Sequence, residues 1–258
     1  MIYTVIARTD ILTKYYEKKW DCSTEQPLNL IKIQEENDGF DISPDVRKYI
    51  SDTKNEKTKK ERMSAYTSLF FSLYKLFNVR PSEILRTEYS KPYIRENVYF
   101  SISHAGELTA VSVSSDTEVG VDIQERISEK IGEKVDKRFL NGFEYNEGHI
   151  DINYFYLSLD EYEDLLLHPL LDKENKFLEN INIHFYNELP HNLPFILETE
   201  YTKKWTAAEA VSKLFGRGLG YFSKLPENTK YTICSFKTIL IGDKLFYIAN
   251  AIEKIAKM

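Results

Sequence analysis

Cysteine is almost missing: Cys22 and Cys234 are the only two in 258 residues, and they lie far apart. Two thiols with no redox or metal-ligand spacing exclude a disulfide framework and a zinc motif, and they point to a reducing compartment. No apolar run is long enough to span a bilayer. The opening residues, MIYTVIARTD, alternate like a strand and lack the apolar core of a secretion signal. The expectation is a soluble, cytoplasmic protein with no membrane contact. Positive charge is also short. With 34 Lys plus Arg against 40 Asp plus Glu, the formal net charge is −6. Nucleic-acid binders are more often basic, so none is expected as a partner, and an acidic ligand would need a local basic patch.

What is present is apolar and aromatic substance. A hydrophobic content of 42% excludes wholesale disorder, and 18 Tyr, 15 Phe and 2 Trp suggest a core built from rings as well as Leu and Ile. The length suits one large domain or two small halves. Alternation over Ile2 to Ala7 predicts a first strand. Residues 43–62 are polar and increasingly basic, and they lead into RMSAYTSLFFSLYKLF, whose apolar residues recur with a helical period. That predicts a buried helix with Arg62 at its entrance. Lys91-Pro92 marks an extended turn. Val98 to His104 and Leu108 to Val113 alternate around Gly106, which predicts a strand pair.

In the following segment, VGVDIQ, strand alternation sends Val119, Val121 and Ile123 one way and Gly120, Asp122 and Gln124 the other. Gly120 would let a ligand approach the backbone. Within residues 125–204, Lys134 to Tyr145 looks helical, and from Asp151 the composition is acidic and aromatic, with short segments interrupted by Pro169, Pro190 and Pro194. His149, His168, His184 and His191 show no metal-ligand spacing and read as surface or packed histidines. The run WTAAEAVSKLFGRGL, from Trp205 to Leu219, predicts a helix ended by Gly216 and Gly218. Tyr231 to Phe236 and Leu245 to Ile252 predict a closing hairpin around Gly242.

Glu209 and Lys213 share one helix face, and alone they make an ordinary i,i+4 ion pair. Brought beside Asp122 and Gln124, Glu209 would complete an oxygen-rich pocket of two carboxylates and an amide. Such a set suits Mg²⁺, which takes about six oxygens at roughly 2.1 Å and keeps places for water and substrate phosphates. Lys213 would add a point charge for those phosphates, and His104 a hydrogen bond.

These segments resemble the Sfp-type 4'-phosphopantetheinyl transferases. The family's blocks occur here in order: Lys91-Pro92, FSISHA from Phe100 to Ala105, GVDIQ from Gly120 to Gln124, and WTAAEAVSKLFGRGL. The resemblance covers most of the chain except roughly 146–200. It implies an α+β fold of two pseudo-twofold-related α/β halves, 1–116 and 117–258, with small sheets, packed helices and an enlarged insertion at about 146–200 in the second half. The implied activity moves the 4'-phosphopantetheine arm of coenzyme A to a serine of an apo acyl, peptidyl or aryl carrier protein and releases adenosine 3',5'-bisphosphate.

By the same resemblance, Asp122, Gln124 and Glu209 would hold Mg²⁺, and Asp122, Glu209 and Lys213 form the catalytic set. Glu209 would act as base, directly or through a metal-bound water. Lys213 and His104 would contact phosphates and Arg62 the 3'-phosphate, while Ser90, Lys91, Pro92 and Ser103 border the nucleotide. One chain carries both halves, so a monomer is expected. The chain departs from the family pattern at Gln124, where an acid is common, at Ala208, where a lysine is usual, and at Ser101 and Ala105. Gln124 and Ala208 motivate the rival expectation of a member that binds coenzyme A or a carrier without transfer. The insertion would either shape carrier recognition or enlarge the core, and the second reading is preferred.

Overall fold

The computed structural model describes residues 1–20, 40–140, 143–160, 164–170, 183–186, 196–217 and 232–254. In chain order these form β1 (Ile2–Arg8), α1 (Thr9–Trp20), α2 (Pro44–Ser51), α3 (Glu56–Phe77), β2 (Leu85–Arg86), β3 (Pro92–Tyr93), β4 (Tyr99–Ala105), β5 (Leu108–Ser114) and β6 (Gly120–Glu125). Then come α4 (Glu129–Val135), a π-helical turn (Asp136–Leu140), β7 (Ile152–Leu159), β8 (Leu165–Pro169), β9 (Ile183–Tyr186), α5 (Ile196–Leu214), β10 (Thr232–Ile241) and β11 (Lys244–Glu253). The fold is mixed α+β, with small sheets and packed helices.

Two sheets carry the architecture, one in the order β4-β5-β1-β7-β8 and the other β6-β11-β10-β9. Period-2 alternation gives each central strand two apolar faces with different partners. Val5, Ala7, Val111 and Val113 face Leu12, Leu69, Phe70 and Leu73 on α1 and α3. Their alternates Ile6, Leu108 and Ala110 meet Val121, Ile123, Phe246 and Ile248 of the second sheet. On that sheet's far side, Ala249 and Ala251 pack against Ala207, Ala208, Ala210 and Val211 of α5. The layers therefore run helix, sheet, sheet, helix. A buried polar seam crosses the middle: Thr4 Oγ1 lies 2.7 Å from Ser112 Oγ and donates to Asn250 Oδ1 at 3.0 Å, and Asn250 Nδ2 donates to the Tyr154 hydroxyl at 3.1 Å.

The strand pair over Val98 to Val113 forms as alternation predicts, with Gly106 at φ +56° in the turn. The hairpin closing at Gly242 also forms, and its first strand runs on from Phe236 to Ile241. Three helix boundaries differ from expectation. The long helix starts at Glu56, where the Asn55 side chain accepts the Thr58 N–H at 2.9 Å, so Arg62 sits inside α3 and not at its entrance. Helix α5 begins at Ile196 instead of Trp205. The helical stretch expected over Lys134 to Tyr145 lies earlier, as α4 and the π turn, and Gly132 lets α4 seat against Tyr201 of α5: a Cβ there would stand 2.6 Å from that side chain.

The described part of the connection after residue 146 contributes core. β7 pairs parallel to β1, β8 extends that sheet, and β9 edges the second, burying Tyr154, Tyr156 and Leu157. The first sheet thus draws two strands from beyond residue 117. Gly218, Leu219, Tyr231, Cys22, Pro190, His191 and Pro194 lie outside the described residues.

Candidate functional site

The edge strands β4 and β6 of the two sheets lie side by side, joined through serine hydroxyls. The Val121 N–H donates to Ser101 Oγ at 3.0 Å and the Ile123 N–H to Ser103 Oγ at 3.3 Å. Ser103 Oγ in turn donates to Asp122 Oδ1 at 2.7 Å. Two exposed sheet edges would otherwise leave unpaired backbone donors, and these side chains satisfy them while fixing the Asp122 rotamer.

Gly120 sets the height of α5 above β6. A Cβ there would lie 2.0 Å from the Ala210 carbonyl oxygen and 2.7 Å from the Leu214 nitrogen. The absent side chain therefore admits a helix, and the expectation of a ligand against this backbone is corrected. Asp122, on the same strand face, is thereby brought under Glu209 and Lys213. Lys213 Nζ lies 2.8 Å from Asp122 Oδ1. The ordinary Glu209–Lys213 pair is thus replaced by a longer-range one, from helix to strand.

Asp122 is only 4% exposed, and its Oδ2 is buried with no hydrogen-bond partner. Burial pushes the Glu209 carboxyl up to about 7 and the Asp122 charge adds to this, while Lys213 opposes it. Gln124 lines the same cavity and its Nε2 donates to the Glu125 carbonyl at 3.1 Å. His104 Nδ1 stands 3.6 Å from Glu61 Oε2. Burial holds the imidazole below its ordinary 6.5; Glu61 and Asp122 pull it up, and Lys213 and Lys57 push it down.

The cavity, about 430 Å³, is also lined by Arg62 and Arg86. Arg62 lies over the Tyr49 ring at 4.1 Å and donates to Thr53 Oγ1 at 2.6 Å. Arg86 lies over the same ring at 4.9 Å and donates to the Tyr66 hydroxyl at 3.1 Å and the Ser90 carbonyl at 3.2 Å. Neither guanidinium pairs with a carboxylate among the described residues. Two cations held on one ring and facing a cavity form an anion-binding arrangement. Sequence reading missed Arg86 and both tyrosines. The one local signal was an arginine just ahead of the Ser90–Pro92 turn.

Of the residues singled out by sequence, Arg62, Pro92, Ser103, His104, Asp122, Gln124, Glu209 and Lys213 line this cavity together. Ser90 and Lys91 instead line an adjoining cavity of about 230 Å³, which shares Pro92 and Lys213 with the first. Ser90 adopts φ +66°. Lys91 Nζ donates to the Leu214 carbonyl at 2.8 Å and pairs with Glu118, and its stem covers Gly216 at φ +66°. Its charge thus closes the C-terminal end of α5. Ala208 is fully buried against the second sheet, on the face of α5 away from the cavity.

A hard divalent cation fits this donor set. Asp122 Oδ2 is an orphaned buried oxygen, Glu209 is crowded by a like charge, and Gln124 has its amide nitrogen turned to the main chain. No trio of His, Cys, Asp or Glu groups as a metal cage among the described residues, so the third protein oxygen would be the Gln124 amide. A scan against protein-family models and a search of curated proteins found no match to this chain.

Proposed function

We propose that the chain transfers the 4'-phosphopantetheine arm of coenzyme A to a serine hydroxyl of an apo carrier protein and releases adenosine 3',5'-bisphosphate. The observation that carries this reading is the meeting of Asp122, Glu209 and Lys213 in one cavity with the Arg62–Arg86 pair. A reaction of this kind needs an anchor for a phosphate monoester, charge neutralisation at a pyrophosphate, and an acceptor for the nucleophile's proton. Arg62 and Arg86 supply the anchor, holding the 3'-phosphate. Lys213 neutralises pyrophosphate charge, and His104 donates a hydrogen bond to a phosphate oxygen. Glu209 accepts the serine proton as the oxygen–phosphorus bond forms and the phosphorus–oxygen bond to the bisphosphate breaks. Asp122, Glu209 and Gln124 would hold Mg²⁺, which would supply further charge neutralisation at the pyrophosphate. The pseudo-twofold relation of the two halves belongs to the same proposal, as does function as a monomer in the cytoplasm.

Gln124 favours a second reading, because an amide leaves the cluster one negative charge short: a protein that binds coenzyme A or a carrier without transfer. One assay separates the two. Labelled coenzyme A is incubated with Mg²⁺ and a panel of apo acyl, peptidyl and aryl carriers, using wild type, Asp122→Ala and Glu209→Ala. The proposal expects label on a carrier serine with wild type and near-complete loss in both variants. No label on any carrier, with coenzyme A still bound, selects the second reading. Wild-type turnover in either variant overturns the assigned roles.

A further inference from the structure

We infer that Lys213 is a tethered competitor for the divalent cation, so that the site takes up a cation readily only when an anionic phosphate draws the lysine away. This rests on the cation role proposed above for Asp122 and Glu209, but not on the transfer reaction. The Lys213 ammonium donates to Asp122 Oδ1 at 2.8 Å, where Ser103 Oγ also donates at 2.7 Å. That oxygen is therefore filled by chain atoms, while Oδ2 of the same carboxylate has no partner. The Asp122 side chain is 6% exposed and that of Lys213 is 30% exposed. A buried carboxylate holds its counter-charge tightly, because removing it leaves an uncompensated buried charge. An arriving cation must share Asp122 with the ammonium or displace it, and two like charges on one carboxylate repel.

Lys213 has somewhere to go. It lines both the 430 Å³ cavity and the adjoining 230 Å³ one, so an anion seated in either offers it a second partner. An anion that takes Lys213 frees Asp122 for the cation, and by linkage a bound cation raises affinity for the anion by the same factor. Lys213 thus selects for the cation–anion pair over the free cation.

The test is titration of Mn²⁺, followed by its electron paramagnetic resonance signal, into wild type, Lys213→Met and Lys213→Arg without coenzyme A. The inference expects Lys213→Met to bind Mn²⁺ at least about tenfold more tightly than wild type, and Lys213→Arg to stay within about threefold. Thermal melting checks that each variant is folded, and Lys213→Gln serves in place of Lys213→Met if that protein does not fold. Equal or weaker Mn²⁺ binding in the neutral variant, beside measurable binding in wild type, overturns the inference and leaves the cation role standing. No Mn²⁺ binding by any of the proteins overturns both.

Discussion

Replacing Glu209 by glutamine is expected to stabilise the cation-free protein, increasingly so as pH rises from about 5 to about 8. Burial and the neighbouring Asp122 charge raise this carboxyl from 4.5 in the unfolded chain to about 7 in the folded one. Between those values the unfolded chain has released the proton and the folded chain still holds it. A folded state that binds the extra proton loses stability as pH rises, so wild type weakens across this window and levels off above it. At about 1.4 kcal/mol per pH unit, the full loss is roughly 3 kcal/mol, and partial solvent access reduces it to about 2–3 kcal/mol. Glutamine keeps the shape and has no proton to release. At roughly 2–4 °C per kcal/mol for a chain of this size, the variant should melt about 5–10 °C above wild type at pH 8 and only about 1–3 °C above it at pH 5. Calorimetry at pH 5, 6, 7 and 8 in a metal chelator measures the difference, in which other titrating groups cancel. A gap independent of pH, or one that closes on the alkaline side, would refute the reasoning.

Three further substitutions probe separate parts of the site. Gln124→Glu places an acid beside Asp122 and should lower the Mg²⁺ concentration needed for half-maximal turnover by about tenfold; an unchanged requirement would show that position 124 does not reach the cation. Arg86→Ala removes one guanidinium from the pair on Tyr49 and should raise KM for coenzyme A at least about tenfold with little change in kcat. A loss confined to kcat would place Arg86 outside anion binding. Gly120→Ala puts a methyl 2.0 Å from the Ala210 carbonyl oxygen and should destabilise by about 2–4 kcal/mol, read from urea unfolding. A melting curve like that of wild type would mean that β6 and α5 are not held at this spacing.

Much of this arrangement was legible in sequence because it is local. Strand alternation is enough to turn Asp122 and Gln124 to one face of β6, and helical spacing is enough to align Glu209 with Lys213. What sequence could not supply was the partner chosen across the fold. Lys213 reaches Asp122 because Gly120 lets α5 press onto β6, a contact with no local signature. Arg86 sits on a two-residue strand and gains meaning only when Tyr49 brings Arg62 beside it. The resemblance placed Lys91 at the border of the nucleotide, yet its charge goes to the last turn of α5, and only the C-terminal geometry at Leu214 and Gly216 reveals that. The connection after residue 146 was opaque because β7 pairs parallel to β1 across a long loop, where no turn motif marks the pairing.

The most direct measurement of the central claim is intact-mass analysis of an apo carrier after incubation with this protein, unlabelled coenzyme A and Mg²⁺, with released nucleotide quantified in the same sample. The account predicts a carrier heavier by one phosphopantetheine arm on its serine, and one adenosine 3',5'-bisphosphate for each arm transferred. Carriers of unchanged mass across the acyl, peptidyl and aryl types, with coenzyme A left intact, would contradict it.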